Sequence, residues 1–253
     1  MRKVIYTCLT GNYDDLKQPL VSSSEWDYIC FSDCLPEGVQ GCWEIRRIPK
    51  SFRSSSLASR YPKILPHRVL PEYDWSLYID ANLQISSREL YEIVDRHIAN
   101  NDIFCQVPHP FRDCIYDELS VCYIDGKIGF HIARRINKQL HGAGFPRHAG
   151  LNENNIILRC HNHKSVMTIG EEWWQLFNSG QRRDQLSLRY ILWKNHLSPV
   201  PLLGDGINTR NSSCISFHSH SKQQSFNSFA SRKILGTLAR MRHSIRQRLA
   251  TLL

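Results

Sequence analysis

No apolar run in this chain reaches the ~18 residues that a membrane-crossing helix needs, and Met1-Arg2-Lys3 leads directly into a strand pattern without the hydrophobic stretch of a secretory leader. A cytoplasmic protein is expected. Its nine cysteines are odd in number and include no Cys-x-x-Cys pair, which argues for reduced thiols in the core rather than a disulfide framework. There is no Walker A sequence, no Gly-x-Ser-x-Gly elbow and no His-Glu-x-x-His. Gly142-Ala143-Gly144 opens like a dinucleotide fingerprint but has Arg147 where the third glycine belongs. Those enzyme classes are excluded, and no internal repeat is visible.

Acidic residues are missing from one region. Residues 221–253 contain Lys222, Arg232, Lys233, Arg240, Arg242, Arg246 and Arg248 with no Asp or Glu, so most of the net charge of +9 resides there and the body is nearly neutral. Ile234, Leu238, Met241, Ile245, Leu249 and Leu252 recur at three- and four-residue steps, the mark of a basic amphipathic helix. Such a helix can pack on its parent domain, lie on an anionic membrane or contact a nucleic acid or protein partner. The polar stretch from Ser219 to Ser231 reads as a linker, which favours peripheral attachment to the inner face of the cell membrane. The balanced charge of the body gives no sign of nucleic-acid binding. The expected division is a catalytic domain over 1–220 and a linker with helix over 221–253.

What is present suits one globular core, with 42% hydrophobic and 22% charged residues. The periodicity predicts strands at Val4–Leu9, Tyr28–Phe31, Asp74–Ile79, Phe104–Val107 and Asn155–Leu158. Helices are predicted at Ser55–Leu65, Ser87–Ala99 with Ser86 or Ser87 as cap, Ile115–Ile124, Phe130–Leu140, Ser165–Phe177 and Asp184–Lys194. Strands separated by helices imply an α/β fold with a mainly parallel sheet.

The densest signal is Tyr78-Ile79-Asp80-Ala81-Asn82. Asp80 falls where a buried strand becomes a loop, the place where ligands gather in open α/β sheets. With Asn82 two residues on, it offers hard oxygen ligands to Mg²⁺ or Mn²⁺, although Asp and Asn also build ordinary turns. Thr10-Gly11-Asn12 is a turn at which a nucleotide base can approach the backbone, and the next strand repeats the design at Ser32-Asp33. Arg60 and Lys63 are one helical turn apart and share a face. Asn154 and Asn155 alternate along a strand, so at most one readily reaches a common ligand. Asp184, before an amphipathic helix, can cap it, bind a ligand, or do both. His109, Arg112, Asp113, Asp117 and Glu118 form a second polar cluster, in which Asp113 and Asp117 at helical spacing can pair their carboxylates on an acceptor cleft.

The Asp80 segment resembles the Asp-x-Asp site of GT-A glycosyltransferases in an Asp-x-Asn form. The whole series resembles the DUF616 family of glycosyltransferase-like proteins, some with ceramidase-like or mucilage-related names. The matching blocks are Tyr6–Leu16, Asp27–Asp33, Arg60–His67, the Asp80 segment, His109–Glu118, Gly150–Arg159 and Arg183–Leu186. The resemblance implies a GT-A-type fold and a metal-dependent transfer from a nucleotide sugar, UDP-linked, to a saccharide or lipid-linked acceptor in surface polysaccharide synthesis, with retention as one course. It implies donor contacts at Thr10, Gly11, Tyr13, Asp33, Arg60, Lys63, Asp80, Ala81, Asn82, Asn154 and Asn155. Asp184 and Gln185 take the catalytic place, His109, Arg112 and Asp117 the acceptor side. Asp80 and Asn82 hold Mn²⁺ or Mg²⁺, and His218, ahead of His220, is the third ligand. The alternative is a metal-dependent, ceramidase-like hydrolase with zinc among Cys160, His161, His163, Cys214, His218 and His220, against which their spacing argues.

Overall fold

Along β1 (Lys3–Leu9) successive side chains enter different cores, Ile5 and Leu9 on one face, Val4, Tyr6 and Cys8 on the other. That two-sided burial requires helices on both faces of the sheet. The computed structural model describes residues 1–11, 14–181, 183–219 and 249. Tyr13, His220 and the basic stretch, Leu249 apart, lie outside the described residues.

The chain continues through β2 (Asp27–Ser32), β3 (Gly38–Gln40), β4 (Trp43–Arg47), α1 (Ser55–Ile64), α2 (Pro66–Val69), β5 (Trp75–Ile79), β6 (Leu83–Ile85) and α3 (Glu89–Ala99). It goes on to β7 (Phe104–Pro108), α4 (Ile115–Ile124), α5 (Phe130–Gly142), β8 (Asn152–Arg159), α6 (Lys164–Asn178), α7 (Asp184–Lys194), β9 (Val200–Pro201) and β10 (Ile215–Phe217). An eight-stranded sheet runs in the order β3-β4-β2-β1-β5-β8-β7-β9, and β6 pairs with β10 in a separate ribbon.

From β4 through β2 and β1 to β5 the strands are parallel, as the strand–helix alternation predicts, whereas β8 runs antiparallel to both β5 and β7. The two-helix excursion α4–α5 separates β7 from β8, packs on itself and returns the chain to run the other way. The sheet is therefore mixed. Helix α3 covers one face with Leu90, Tyr91 and Val94, and α1, α6 and α7 cover the other. Helices α4 and α5 build a third apolar cluster with Leu186, against which Leu249 packs. Among the described residues no helix is long and apolar enough to cross a membrane, and every cysteine is a free thiol.

One local departure from the sequence expectations, at α3, and one helix end that agrees with them, at α1, bear on the site. Helix α3 starts at Glu89, with Arg88 rather than Ser86 or Ser87 in the cap position, and Ser87 Oγ accepts the Glu89 N–H at 3.2 Å. Helix α1 contains Pro62 and ends before Pro66, because a proline disfavours helical backbone in the residue before it. The Pro62 and Lys63 carbonyls accept from the Tyr6 hydroxyl, and Lys63 O also accepts from Arg159 at 2.8 Å, so buried groups hold the end of α1 in place.

Candidate active site

Every parallel strand from β4 to β5 delivers its carboxyl end to one rim of the sheet, and two adjoining cavities open there. The first, of about 460 Å³, is lined by Thr10, Gly11, Ser55, Ser59, Arg60 and the Asp80–Asn82 turn. The second, of about 230 Å³, shares Arg60, Asp80, Asn82 and Arg183 with it and adds Lys63, Glu153, Asn154, Asn155, Asp184 and Gln185.

A chain of charges joins them. Lys63, its side chain 1% exposed, places Nζ 3.2 Å from Asp80 Oδ1 and 3.0 Å from Asp184 Oδ2. Arg60 Nε lies 3.2 Å from the same Asp184 oxygen. Burial works to raise the Asp184 carboxyl, but Lys63, Arg60 and Arg183 override it and hold the group well below the usual carboxylate range. The Tyr78 hydroxyl, pushed well above its ordinary range by burial and the Asp80 charge, stays protonated and donates to Asp80 Oδ1 at 2.7 Å. Asp184 occupies the first position of α7 and accepts the Gln185 N–H, with Arg183 as the cap residue. A helix N-terminus and three cations thus surround one buried carboxylate.

The ribbon of β6 and β10 brings the end of the described chain to Asn82. His218 N–H donates to Asn82 O at 2.9 Å, and Asn82 Nδ2 donates to His218 O at 3.0 Å, so the Asn82 amide nitrogen is committed to the ribbon. Gln84 Nε2 donates to the Gln18 carbonyl, so its Oε1 must accept, and it takes the hydrogen of His218 Nε2 at 3.0 Å. A neutral His218 so fixed carries its lone pair on Nδ1, the state a metal ligand needs. Asp80, Asn82 and His218 offer a carboxylate, an amide oxygen and an imidazole, donor types that suit Mn²⁺ or Mg²⁺.

The structure brings together Thr10, Gly11, Arg60, Lys63, Asp80, Ala81, Asn82, Asn154, Asn155, Asp184 and Gln185 as lining residues. Asp33 acts at one remove: its Oδ1 accepts the Gly11 N–H at 2.9 Å and fixes a turn whose φ is +62°. The expectation that strand alternation separates Asn154 from Asn155 fails. The pairing of β7 with β8 slips between Gln106 and Val107, whose partners are Ile157 and Glu153, and this bulge turns both asparagines to the cavity. It also leaves Asn154 Nδ2 and Asn155 Oδ1 buried without a hydrogen-bond partner.

The pairing of Asp113 with Asp117 fails too, because α4 starts only at Ile115 and Asp113 precedes its cap residue. Asp113 binds His148 at 2.9 Å, and Asp117 faces Arg147 at 3.7 Å. His109 and Arg112 do line a third cavity of about 500 Å³ with Phe111, Asn152 and Arg189, but Asp117 does not. Arg112 is tied to buried Glu118 at 2.6 Å.

Among the described residues the His, Cys, Asp or Glu group close enough to share a cation is Cys114, Asp117 and His148, away from the proposed zinc ligands. Its two exposed members are taken up by the Arg147 and Asp113 pairs, and buried His161 donates from Nε2 to the Leu70 carbonyl.

Arg183, Tyr78, Glu153, Arg210 and Gln84 were given no role from the sequence, although Tyr78, Glu153 and Arg183 lie in the segments quoted there. Arg183 adjoins Asp184, and the serines Ser55, Ser56 and Ser59 share with Arg60 and Lys63 the helix start and spacing that could have revealed them.

The fold and this charged rim are accompanied by a match to a family of glycosyltransferase-like domains. The chain belongs to the TOD1/MUCI70 glycosyltransferase-like domain family, whose model matches residues 36–201. Comparison with curated protein sequences finds no match. Among solved structures, the apo WbbM bifunctional glycosyltransferase is similar over 80% of this chain and 38% of its own, at 12% identity and TM-score 0.45. Apo mouse xyloside xylosyltransferase 1 is similar over 79% and 84%, at 10% identity and TM-score 0.42. The glycosyltransferase GlyE of Streptococcus pneumoniae TIGR4 is similar over 98% and 62%, at 11% identity and TM-score 0.46. The chain thus spans less than two thirds of the WbbM and GlyE chains.

Proposed function

We propose that this protein is a metal-dependent glycosyltransferase that moves a sugar from a UDP-linked donor to a saccharide or lipid-linked acceptor in surface polysaccharide synthesis. One observation carries the reading: Arg60, Lys63, Asp80, Asn82 and Asp184, contributed by α1, the β5–β6 turn and α7, converge on two adjoining cavities. The larger suits a nucleoside, with the Gly11 turn approaching it closely, and the smaller suits a hexose. Asp80, Asn82 and His218 would hold Mn²⁺ or Mg²⁺, which when bound neutralises charge on the leaving diphosphate. Arg60, Lys63 and Arg183 supply further positive charge on the protein side.

Asp184, kept ionised, accepts hydroxyl hydrogen bonds from the donor sugar and opposes positive charge growing at the anomeric carbon. The carboxylates that line the sugar cavity are each tied to a cation: Asp80 to Lys63, Asp184 to Lys63 and Arg60, and Glu153 to Arg210. None is well placed to act as a strong base on the acceptor, which supports retention rather than inversion. The zinc-hydrolase alternative gains no support, since its described cysteines and histidines do not converge.

A thermal-shift comparison of nucleotide sugars with and without Mn²⁺ tests the reading, because a ligand that binds only the folded state raises its stability. UDP-sugars with Mn²⁺ should stabilise the native protein, and Asp80→Ala should abolish the effect while staying folded. Full stabilisation of Asp80→Ala would remove Asp80 from the site.

A further inference from the structure

Large apolar side chains exposed among the described residues include Phe111 at 73% and Phe217 at 43%, which lie far apart in the chain yet flank one arginine. The Arg210 guanidinium sits 4.7 Å from the Phe217 ring centre and 6.0 Å from that of Phe111. Arg210 and Phe217 line the small sugar cavity, and Phe111 lines the 500 Å³ cleft. These cavities meet along β8, where Asn152 faces the cleft and Glu153 faces the sugar cavity.

The backbone beneath each ring is hydrogen-bonded. His109 Nδ1 accepts the N–H groups of Phe111 and Arg112 at 3.2 and 3.0 Å, so that nitrogen carries no proton, in line with burial lowering the His109 pKa. Phe217 is paired to Leu83 in the ribbon. Arg210 is fixed by Glu153 Oε1 at 2.5 Å. Large aromatics exposed beside a cavity cost water contact without contributing to a core, which is expected of a surface prepared for a ligand.

We infer that Phe111, Arg210 and Phe217 form a stacking platform that receives the acceptor as a neutral pyranoside. The C–H groups on one face of a pyranose are weakly positive and meet the negative face of an aromatic ring. Neutrality follows from the charges at this mouth. Arg210 is matched by Glu153 and Arg112 by Glu118, so an acidic sugar at either arginine would have to compete with a carboxylate already in place. A ring resting on Phe111 in the cleft directs a hydroxyl past Arg210 toward the sugar cavity. The assignment of this ligand as acceptor rests on the adjoining cavities being the donor site.

Saturation-transfer NMR on the full chain with methyl pyranosides of glucose, galactose and mannose tests the platform without any donor. Saturation should reach the C–H groups of one ring face, fall at least fivefold in Phe111→Ala and Phe217→Leu, and persist in Phe111→Trp. Methyl glucuronide should give the weaker signal. Absent saturation, or equal saturation in wild type and both variants, overturns the proposal. UDP with Mn²⁺ is titrated in parallel into wild type and Phe111→Ala. If the pyranosides bind as expected and UDP binds neither protein, the platform stands and the donor reading fails. If UDP binds both and the pyranosides bind neither, the donor reading stands and the platform fails.

Discussion

Asp184 concentrates the chemistry of the site in one residue. Replacing it with Asn keeps the shape but removes the charge that opposes a cationic anomeric centre, so turnover should fall by about 10²–10³ while nucleotide binding is kept. Unchanged turnover would return Asp184 to a purely structural place at the start of α7. The same carboxyl governs acid stability. Its folded-state pKa lies below the unfolded value of about 3.9, so its contribution is complete above that pH and is lost as pH falls through the folded value, where the unfolded chain binds more protons. Denaturant titrations between pH 5 and 2 should therefore show a steeper loss for wild type than for Asp184→Asn, and parallel slopes would contradict the assignment. The gathering of Asp80, Asn82, Arg60, Lys63 and Asp184 at one rim was legible through the family resemblance of their blocks rather than through residue type, since turns, caps and solvated helix faces use the same side chains. Asn154 and Asn155 were misread because alternation describes a regular strand, and nothing in Asn-Asn announces a bulge.

Elements carried most of the legible fold. Apolar periodicity located α4 and α7 at their observed ends and found the long strands, since each buries a regular face. It missed the direction of β8, which depends on how α4 and α5 pack, and the β6–β10 ribbon, whose three-residue strands are too short to show a period. That ribbon makes a prediction of its own. Gln84 touches neither cavity yet fixes the His218 ring, so Gln84→Ala should weaken Mn²⁺ binding about 10–100-fold in calorimetric titrations with UDP present. An unaltered affinity would mean that His218 is not a ligand.

The whole molecule draws one site from segments spread between Thr10 and His218, which is why no single motif could define it. At this scale the basic stretch over 221–253 belongs to the proposal: the full chain should sediment with anionic vesicles at low salt and be released as ionic strength rises. Failure to sediment at low salt would rule out membrane anchoring. The clasp that closes the site joins Asn82 to His218 across 136 positions through two short strands. Closing so long a loop is costly for few hydrogen bonds, so the clasp should open far more often than the sheet. The His218 amide should accordingly exchange with deuterium orders of magnitude faster than that of Leu77 in the core, and slow markedly when Mn²⁺ and UDP occupy the site. Loading the donor would then complete the last part of the structure to become rigid.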